Sequence, residues 1–340
     1  LPDLSTHMIE ELIITTRANP KVDPSLGIWS WEIPIYLFVG GMTAGILFFA
    51  ALMILLGRED ATRFVTRKLP LLAPIVLSLG MLMLFLDLEH KLYVWRFYTS
   101  FQPTSPMSWG SWVLIFVYPA TVLMILTYVR EGYPWLAGLL ERVPYGKNLI
   151  DLSEKWRRTI AWGSIILAVF LGIYTGILLS AFSARPFWNT GVLGPLFLTS
   201  GLASAAALAV IGGSKTDEGH LFIRILAGLI ILETIFIALL MINLATGNAI
   251  QQQALSQIID GPFAMKFWIG DILLGLMIPL ALALIATRMP SRALLIIPAL
   301  LVLTGGYMLR DVTVKVGQET GWTQYEQQYN PELIDEIRQH

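Results

Sequence analysis

The chain has no cysteine, so no disulfide, Cys-held iron–sulfur cluster, covalently attached c-type haem or thiolate zinc site can form within it. Any redox metal must belong to a partner. Charge is also scarce. Only 14% of the 340 residues are charged, against roughly 25% in an ordinary globular protein. The formal net charge is −1 and no long basic run occurs, which removes the electrostatic footprint of a nucleic-acid partner. Histidine is reduced to His7, His90, His220 and His340, and only His90 stands at the end of an apolar run. A transmembrane haem needs histidine pairs facing each other within helices, so intrinsic haem is excluded. A retinal Schiff base needs an intramembrane lysine, and only Lys266, near the end of a run, comes close. The alternation of a β-sheet is nowhere visible.

What the chain has instead is apolar length. Hydrophobic residues make up 55% of it, and the mean hydropathy is +0.66. They come in runs long enough to cross a hydrocarbon core of about 30 Å. Eight helices are predicted, near Ile33–Gly57, Pro70–Leu88, Trp109–Val129, Ile160–Phe182, Val192–Gly212, Leu221–Thr246, Phe263–Thr287 and Arg292–Arg310. The fold class is therefore all-α and polytopic. Prolines 70, 74, 119, 195, 279 and 298 sit in or beside these runs, which a bundle tolerates because neighbouring helices satisfy the freed backbone groups.

Orientation follows from the positive charges in the connections. The loops after helices one, three, five and seven hold fourteen Lys and Arg, and those after two, four and six hold four. Both termini are accordingly expected on the outer, periplasmic side. Leu1 to Ser25 is polar and carries Asp3, Glu10, Glu11 and Asp23, so it does not read as a signal peptide, and the first span is expected to insert by itself. The predicted organisation is an outward segment over 1–30, a four-helix bundle over 31–182, a second over 183–311, and an outward polar tail over 312–340. The outer side is the elaborate one, with the loop His90–Ser108 and the connection Ser183–Gly191.

Ionisable groups inside a span cost at least about 2.5 kcal/mol at mid-helix on insertion scales, which makes them functional candidates. Glu32 and Asp87 fall near outward helix ends, where hydration or helix capping is the alternative. Glu233 is about twelve residues into its helix, some 18 Å at 1.5 Å per residue, and Asp271 about eight into its own. Their bland alternative is a hydrogen bond to a neighbouring helix. Arg185 and Arg310 are read as lying at the outward ends of helices four and eight. Tyr36, Tyr118 and Tyr174 are placed where they meet at similar depth, although membrane tyrosines more often serve as belt or packing residues.

Several strings resemble one family. They are Trp29-Ser-Trp-Glu-Ile-Pro-Ile-Tyr-Leu-Phe-Val-Gly-Gly-Met-Thr-Ala-Gly45, Phe101-Gln-Pro-Thr-Ser-Pro-Met-Ser-Trp-Gly-Ser-Trp112, Tyr174-Thr-Gly-Ile-Leu-Leu-Ser180, Ala184-Arg-Pro-Phe-Trp-Asn189 and Gly305-Gly-Tyr-Met-Leu-Arg310. They resemble the NrfD-like family of polysulfide-reductase membrane subunits across nearly the whole chain. The resemblance implies a multi-pass subunit of a prokaryotic cytoplasmic membrane that binds menaquinone or another quinone near the outer face. It further implies electron exchange with an extrinsic, four-cluster-type iron–sulfur protein and through it with a catalytic or cytochrome subunit. In the family pattern an Asn and a His on helix one and a Tyr on helix four contact the quinone. Tyr174 matches that Tyr, whereas the helix-one positions here read Ile33 and Tyr36. Glu32 and Tyr36 are the polar substitutes, with Asp87 at matching depth. Glu32, Tyr174 and Asp87 are expected to do the chemistry, with Tyr36, Tyr118, Arg185 and Trp188 as further quinone contacts. Glu233 and Asp271 are expected to line a proton path.

The chemistry follows from quinol itself, whose oxidation releases two protons: a phenol to hold a ring oxygen and a carboxylate to accept a proton are the minimum parts. The glycine-rich stretch Gly40, Gly41, Ala44, Gly45 permits close helix approach and leaves room for a flat ring. Two rival readings are an ion or proton transporter using Glu233 and Asp271, and a purely structural membrane anchor. The chain expressed alone is expected to carry no visible-absorbing cofactor, and a copurifying Soret band at one-to-one stoichiometry would refute it.

Overall fold

The computed structural model describes residues 29–289 and 291–321, so the expectations for 1–28 and 322–340 lie outside the described residues. No strand occurs among the described residues. Eight helices are long and apolar enough to cross a membrane: α1 (Glu32–Leu55), α2 (Phe64–Asp87), α3 (Pro106–Leu126), α4 (Arg157–Ser180), α5 (Leu193–Gly212), α6 (Asp217–Ala245), α7 (Lys266–Arg288) and α8 (Arg292–Glu319).

Local chemistry sets several of the ends. Past α1, Gly57 takes φ +66°, and the Gly57 and Arg58 N–H groups donate back to Ile54 O and Met53 O in a Schellman turn, the left-handed stop that glycine accepts without steric cost. At the head of α2, Glu218 accepts from the N–H groups of Phe64 and Val65 at 2.9 and 2.8 Å, which ties that helix start to the first turn of α6. A short helix, Ala249–Ile259, opens with an Asn248–Gln251 capping box. It is absent from the apolar-run reading because it is short and only one face is apolar.

α1 and α5 form the centre. In their most apolar windows 83% and 72% of the residues are buried, against 33–44% for the other six. α1 packs against α2, α4, α5 and α8; α5 packs also against α4, α6 and α8; α3 lies on α4, and α7 on α6 and α8. The α1–α5 seam is built from small residues. A Cβ on Gly45 would stand 2.5 Å from Gly201 O and 2.6 Å from Ala205 Cβ, and one on Gly201 would stand 2.5 Å from Gly41 O. Two backbones approach this closely only where side chains are missing. Gly41 and Gly45 therefore serve helix contact, and the expectation of room for a ring passes to Gly40 alone, where an added Cβ meets nothing within 4 Å although the residue is buried.

The last helix departs most from expectation. The apolar run predicts an end at Arg310 and a tail from Val312, yet α8 continues through Glu319, and Arg310 to Val314 are all buried. Hydropathy places a stop at the first charges, but these charges are answered inside the protein. Arg310 donates to Gly306 O at 2.8 Å, Phe197 O at 3.1 Å and the Ser200 hydroxyl. Asp311 pairs with Lys315 one turn on and with Lys266 of α7 at 3.7 Å. Arg310 thus lies deep in the helix.

The glycine seam sets a stability test. Gly201→Ala should drive α1 and α5 apart and lower unfolding stability by about 1–3 kcal/mol, read as a reduced thermal midpoint in detergent. Gly228→Ala, where a Cβ meets nothing within 4 Å, should leave the midpoint unchanged or slightly raised. Equal midpoints for both variants would remove the seam from the account.

Candidate functional site

The four helices of the first half converge at the end where α1 begins. α1 enters with Glu32 in its first turn, where a carboxylate is favoured by the helix dipole, and Tyr36 follows one turn later. α4 brings Tyr174 about two turns from its end. Both phenols are buried, at 5% and 7% exposure, and they face each other closely enough for hydrogen-bond and electrostatic coupling. α3 contributes an absence: a Cβ on Gly110 would fall 1.8 Å from Tyr174 Cζ, so the tyrosine ring occupies the space that Gly110 leaves. α2 does the same for α1 at Gly80, where a Cβ would fall 2.7 Å from Val39 Cγ2 and 3.6 Å from Tyr36 Cδ2.

Two carboxylates stand at the same helix ends, Glu32 one turn before Tyr36 on α1 and Asp87 at the end of α2. Asp87 is the last residue of α2 and half-buried, within electrostatic reach of Glu32. Glu32 Oε2 is buried with no hydrogen-bond partner among the described residues. An orphaned acceptor one turn from Tyr36 is open to a ligand or a proton, and a Cβ at the buried Gly40, one turn further on, would meet nothing within 4 Å. Tyr118 is turned toward α2, its hydroxyl 3.2 Å from Ser78 Oγ. The sequence reading missed two groups here. Gly110 carries no side-chain signal at all, and Tyr98, in the turn Arg96–Thr99, lies outside every apolar run. Tyr98 is nevertheless coupled to Tyr36, Tyr174 and Tyr118. Burial and the neighbouring Tyr118 phenol push its own pKa above the ordinary tyrosine value.

Arg185 and Trp188, expected as quinone contacts, both bond the last turns of α8. Arg185 donates to Gln318 O at 2.7 Å and Thr320 O at 3.2 Å, carbonyls that the end of α8 leaves unpaired. Trp188 donates its indole N–H to Thr313 O at 2.7 Å and stacks on Trp29 with centroids 5.4 Å apart. Gly317 makes room for it, since a Cβ there would fall 1.8 Å from Trp188 Nε1. Gln318 in turn bonds both the N–H and the carbonyl of Trp29. The Arg-Pro-Phe-Trp string is thus a clamp that joins the α4–α5 connection, the end of α8 and the entry to α1.

A second constellation lies in the other half. Glu233 of α6 and Asp271 of α7 are buried, and both interact electrostatically with Arg310, while Glu233 also engages Ser200. Neither Asp271 oxygen has a hydrogen-bond partner among the described residues, and Arg310 Nε is unpaired too. Asp271 sits within a π-helical stretch, Lys266–Met277, a geometry that is rare and often found at functional positions. On the other side, a Cβ on Gly41 would stand 3.2 Å from Arg310 NH2, so the guanidinium reaches α1. No group of three metal-ligating side chains occurs among the described residues.

The family model described as "Polysulphide reductase, NrfD" matches residues 19–320. The protein is similar to NrfD of Escherichia coli, 30% identical over 327 residues that cover 86% of this sequence and 96% of that protein. It is similar to one of the chains of the polysulfide reductase of Wolinella succinogenes, 27% identical over 305 residues, covering 86% and 94%. A selenate reductase subunit of Mesobacillus selenatarsenatis is 26% identical over 320 residues, covering 85% of this sequence and 74% of its own.

The clamp is testable apart from any activity. Trp188→Phe removes the indole bond to Thr313 O, which should cost about 1 kcal/mol of stability in detergent. A wild-type midpoint in this variant would remove the clamp from the account.

Proposed function

The chain belongs to the NrfD family of polysulphide reductase membrane proteins, and from that premise we propose that it is the quinone-reactive subunit of a respiratory reductase complex. It exchanges electrons between menaquinol, or another quinol, and an extrinsic iron–sulfur subunit on the outer side of a prokaryotic cytoplasmic membrane. Its relatives include proteins named as parts of polysulfide and selenate reductases, which supports a role as one part of a larger oxidoreductase. The observation that carries the reading is the meeting of Tyr36 and Tyr174 beside an unpartnered Glu32 oxygen at the convergent ends of α1–α4.

A quinol supplies two electrons and two protons on oxidation. Everything else falls to this chain's side chains. Tyr174, seated by Gly110, hydrogen-bonds one ring oxygen. Tyr36 orients Tyr174 and offers a second hydroxyl. Glu32 accepts a proton at Oε2 and, with Asp87 at the end of α2, passes it toward the outer surface, because both stand at helix ends where water reaches half-buried carboxylates. Arg185 and Trp188 act by holding α8 and Trp29 in place. On the charge count both termini are placed outward, and the helices are taken as two groups of four joined at the α1–α5 seam.

Glu233 and Asp271 support coupled proton movement. Two carboxylates and one guanidinium, all charged, would leave a net negative charge in a low-dielectric interior, and one shared proton neutralises the cluster. Arg310 extends it to α1, the helix that carries Tyr36. The rival transporter reading uses the same residues without a quinone, and ion flux through the isolated subunit would favour it. The anchor reading has no use for the buried phenols.

In the intact complex, Tyr174→Phe removes one buried hydrogen bond of about 1 kcal/mol or more and should slow quinol turnover roughly fivefold with assembly intact. Glu32→Gln should still bind quinone but lose turnover across the pH range. Wild-type kinetics in both variants would take the quinone site away from this pocket. In sealed vesicles, Glu233→Gln and Asp271→Asn should lower the protons moved per electron. An unaltered stoichiometry with unaltered electron transfer means the path is not there.

A further inference from the structure

Between α2 and α3 the chain leaves the bundle and returns over its end. The turn Arg96–Thr99 packs on α3, and the segment around it borders an open cleft of about 520 Å³ lined by Glu89, His90, Tyr93, Arg96, Phe97 and Ser108 among others. Tyr98 is not part of that lining. Its neighbours Arg96 and Phe97 face the cleft, while Tyr98 is half-buried and within electrostatic reach of the phenols of Tyr36 and Tyr174. The turn therefore stands between the cleft and the neighbourhood of the two buried phenols.

Its placement is fixed by α3. Ser108 Oγ accepts from Gln102 N–H at 2.9 Å and donates to Ser100 O at 3.2 Å, and the Trp109 indole donates to Pro103 O at 2.7 Å. Arg96 lies over the rings of Tyr93 and Trp95 at 4.7 and 5.7 Å, which stiffens the turn from its open side. Ser108 and Trp109 immediately precede Gly110, the residue that seats Tyr174. One short stretch of α3 thus sets the position of both Tyr98 and Tyr174.

We propose that Tyr98 is a third hydroxyl of the quinone site, contacting a ring oxygen from the side of the cleft and closing the Tyr36–Tyr174 pocket against it. The inference rests on the quinone reading above and adds to it a contact from outside the membrane spans. A phenol suits both states of the ligand, since it donates to a quinone oxygen and accepts from a quinol hydroxyl. Burial keeps Tyr98 protonated, so the donor persists over the working pH range. The cleft beyond it is open and mostly apolar, with Glu89, His90 and Arg96 at its border.

The test uses the purified whole complex and a water-soluble menaquinol analogue. Tyr98→Phe should raise KM about fivefold with kcat near wild type, and Tyr98→Ala should raise it further and speed release of bound quinone. A residue that only packs would not distinguish Phe from Tyr in KM. A wild-type KM for Tyr98→Phe beside an impaired Tyr174→Phe overturns the assignment of Tyr98 and leaves the quinone site standing. Wild-type values for both overturn the site as well. A second measurement needs no variant: an azidoquinone photolysed on the wild-type complex should label the segment 91–108, and excess menaquinone should suppress the labelling. Labelling confined to other segments would also overturn the proposal.

Discussion

The contact on which the rest of this structure depends is backbone against backbone, Gly41 and Gly45 of α1 on Gly201 and Ala205 of α5. Between helices surrounded by lipid, apolar surface provides little driving force for association, and close packing must supply it. Small residues at four-residue spacing let the two central helices touch along one stripe. The other helices gather around that pair. The same contact brings α5 and α8 within reach of α1, so that Arg310 bonds Phe197 O and Ser200 while lying against Gly41. A side chain on the glycines would separate the phenol pocket from the buried carboxylates and disturb both.

Polar groups inside this protein fall into two kinds, and the difference is physical. Some are fully answered: Arg185 and Trp188 by α8 carbonyls, Glu218 by the first N–H groups of α2, Asp311 by Lys315 and Lys266. These stabilise the fold, because each replaces water at a group that would otherwise be buried unpaired. Others are left open, notably Glu32 Oε2 and both oxygens of Asp271. An open carboxylate in an apolar interior is costly and is kept where a proton or a ligand completes it. The two open sites lie in different halves of the chain, and α1 touches both, through Tyr36 at one and through Gly41 at the other.

Much of this was legible beforehand. Run length and the scarcity of charge give eight helices, and the positions of Glu32, Asp87, Tyr36 and Tyr174 along them give a common depth. Where the reading failed, it failed for a local reason. Arg310 and Asp311 look like the end of a span because hydropathy treats a charge as hydrated, whereas here their partners come from α5, α7 and α8 itself. The string that carries Arg185 and Trp188 gives no sign that the end of α8 lies against them. Tyr98 and Gly110 carry no signal in one dimension, since one sits in a polar loop and the other acts by lacking a side chain.

Composition and run length were enough to set the solvent and to limit the chemistry: a chain this apolar must satisfy its backbone within helices, and one with no cysteine cannot hold a metal by thiolates. Which polar groups are answered and which remain open was settled only by the packing of the helices. That outcome depends on distances between residues far apart in the chain, such as Arg185 to Gln318 or Tyr36 to Tyr174. Periodicity and composition describe one helix at a time, whereas satisfaction of a buried group is a property of the helices that meet around it.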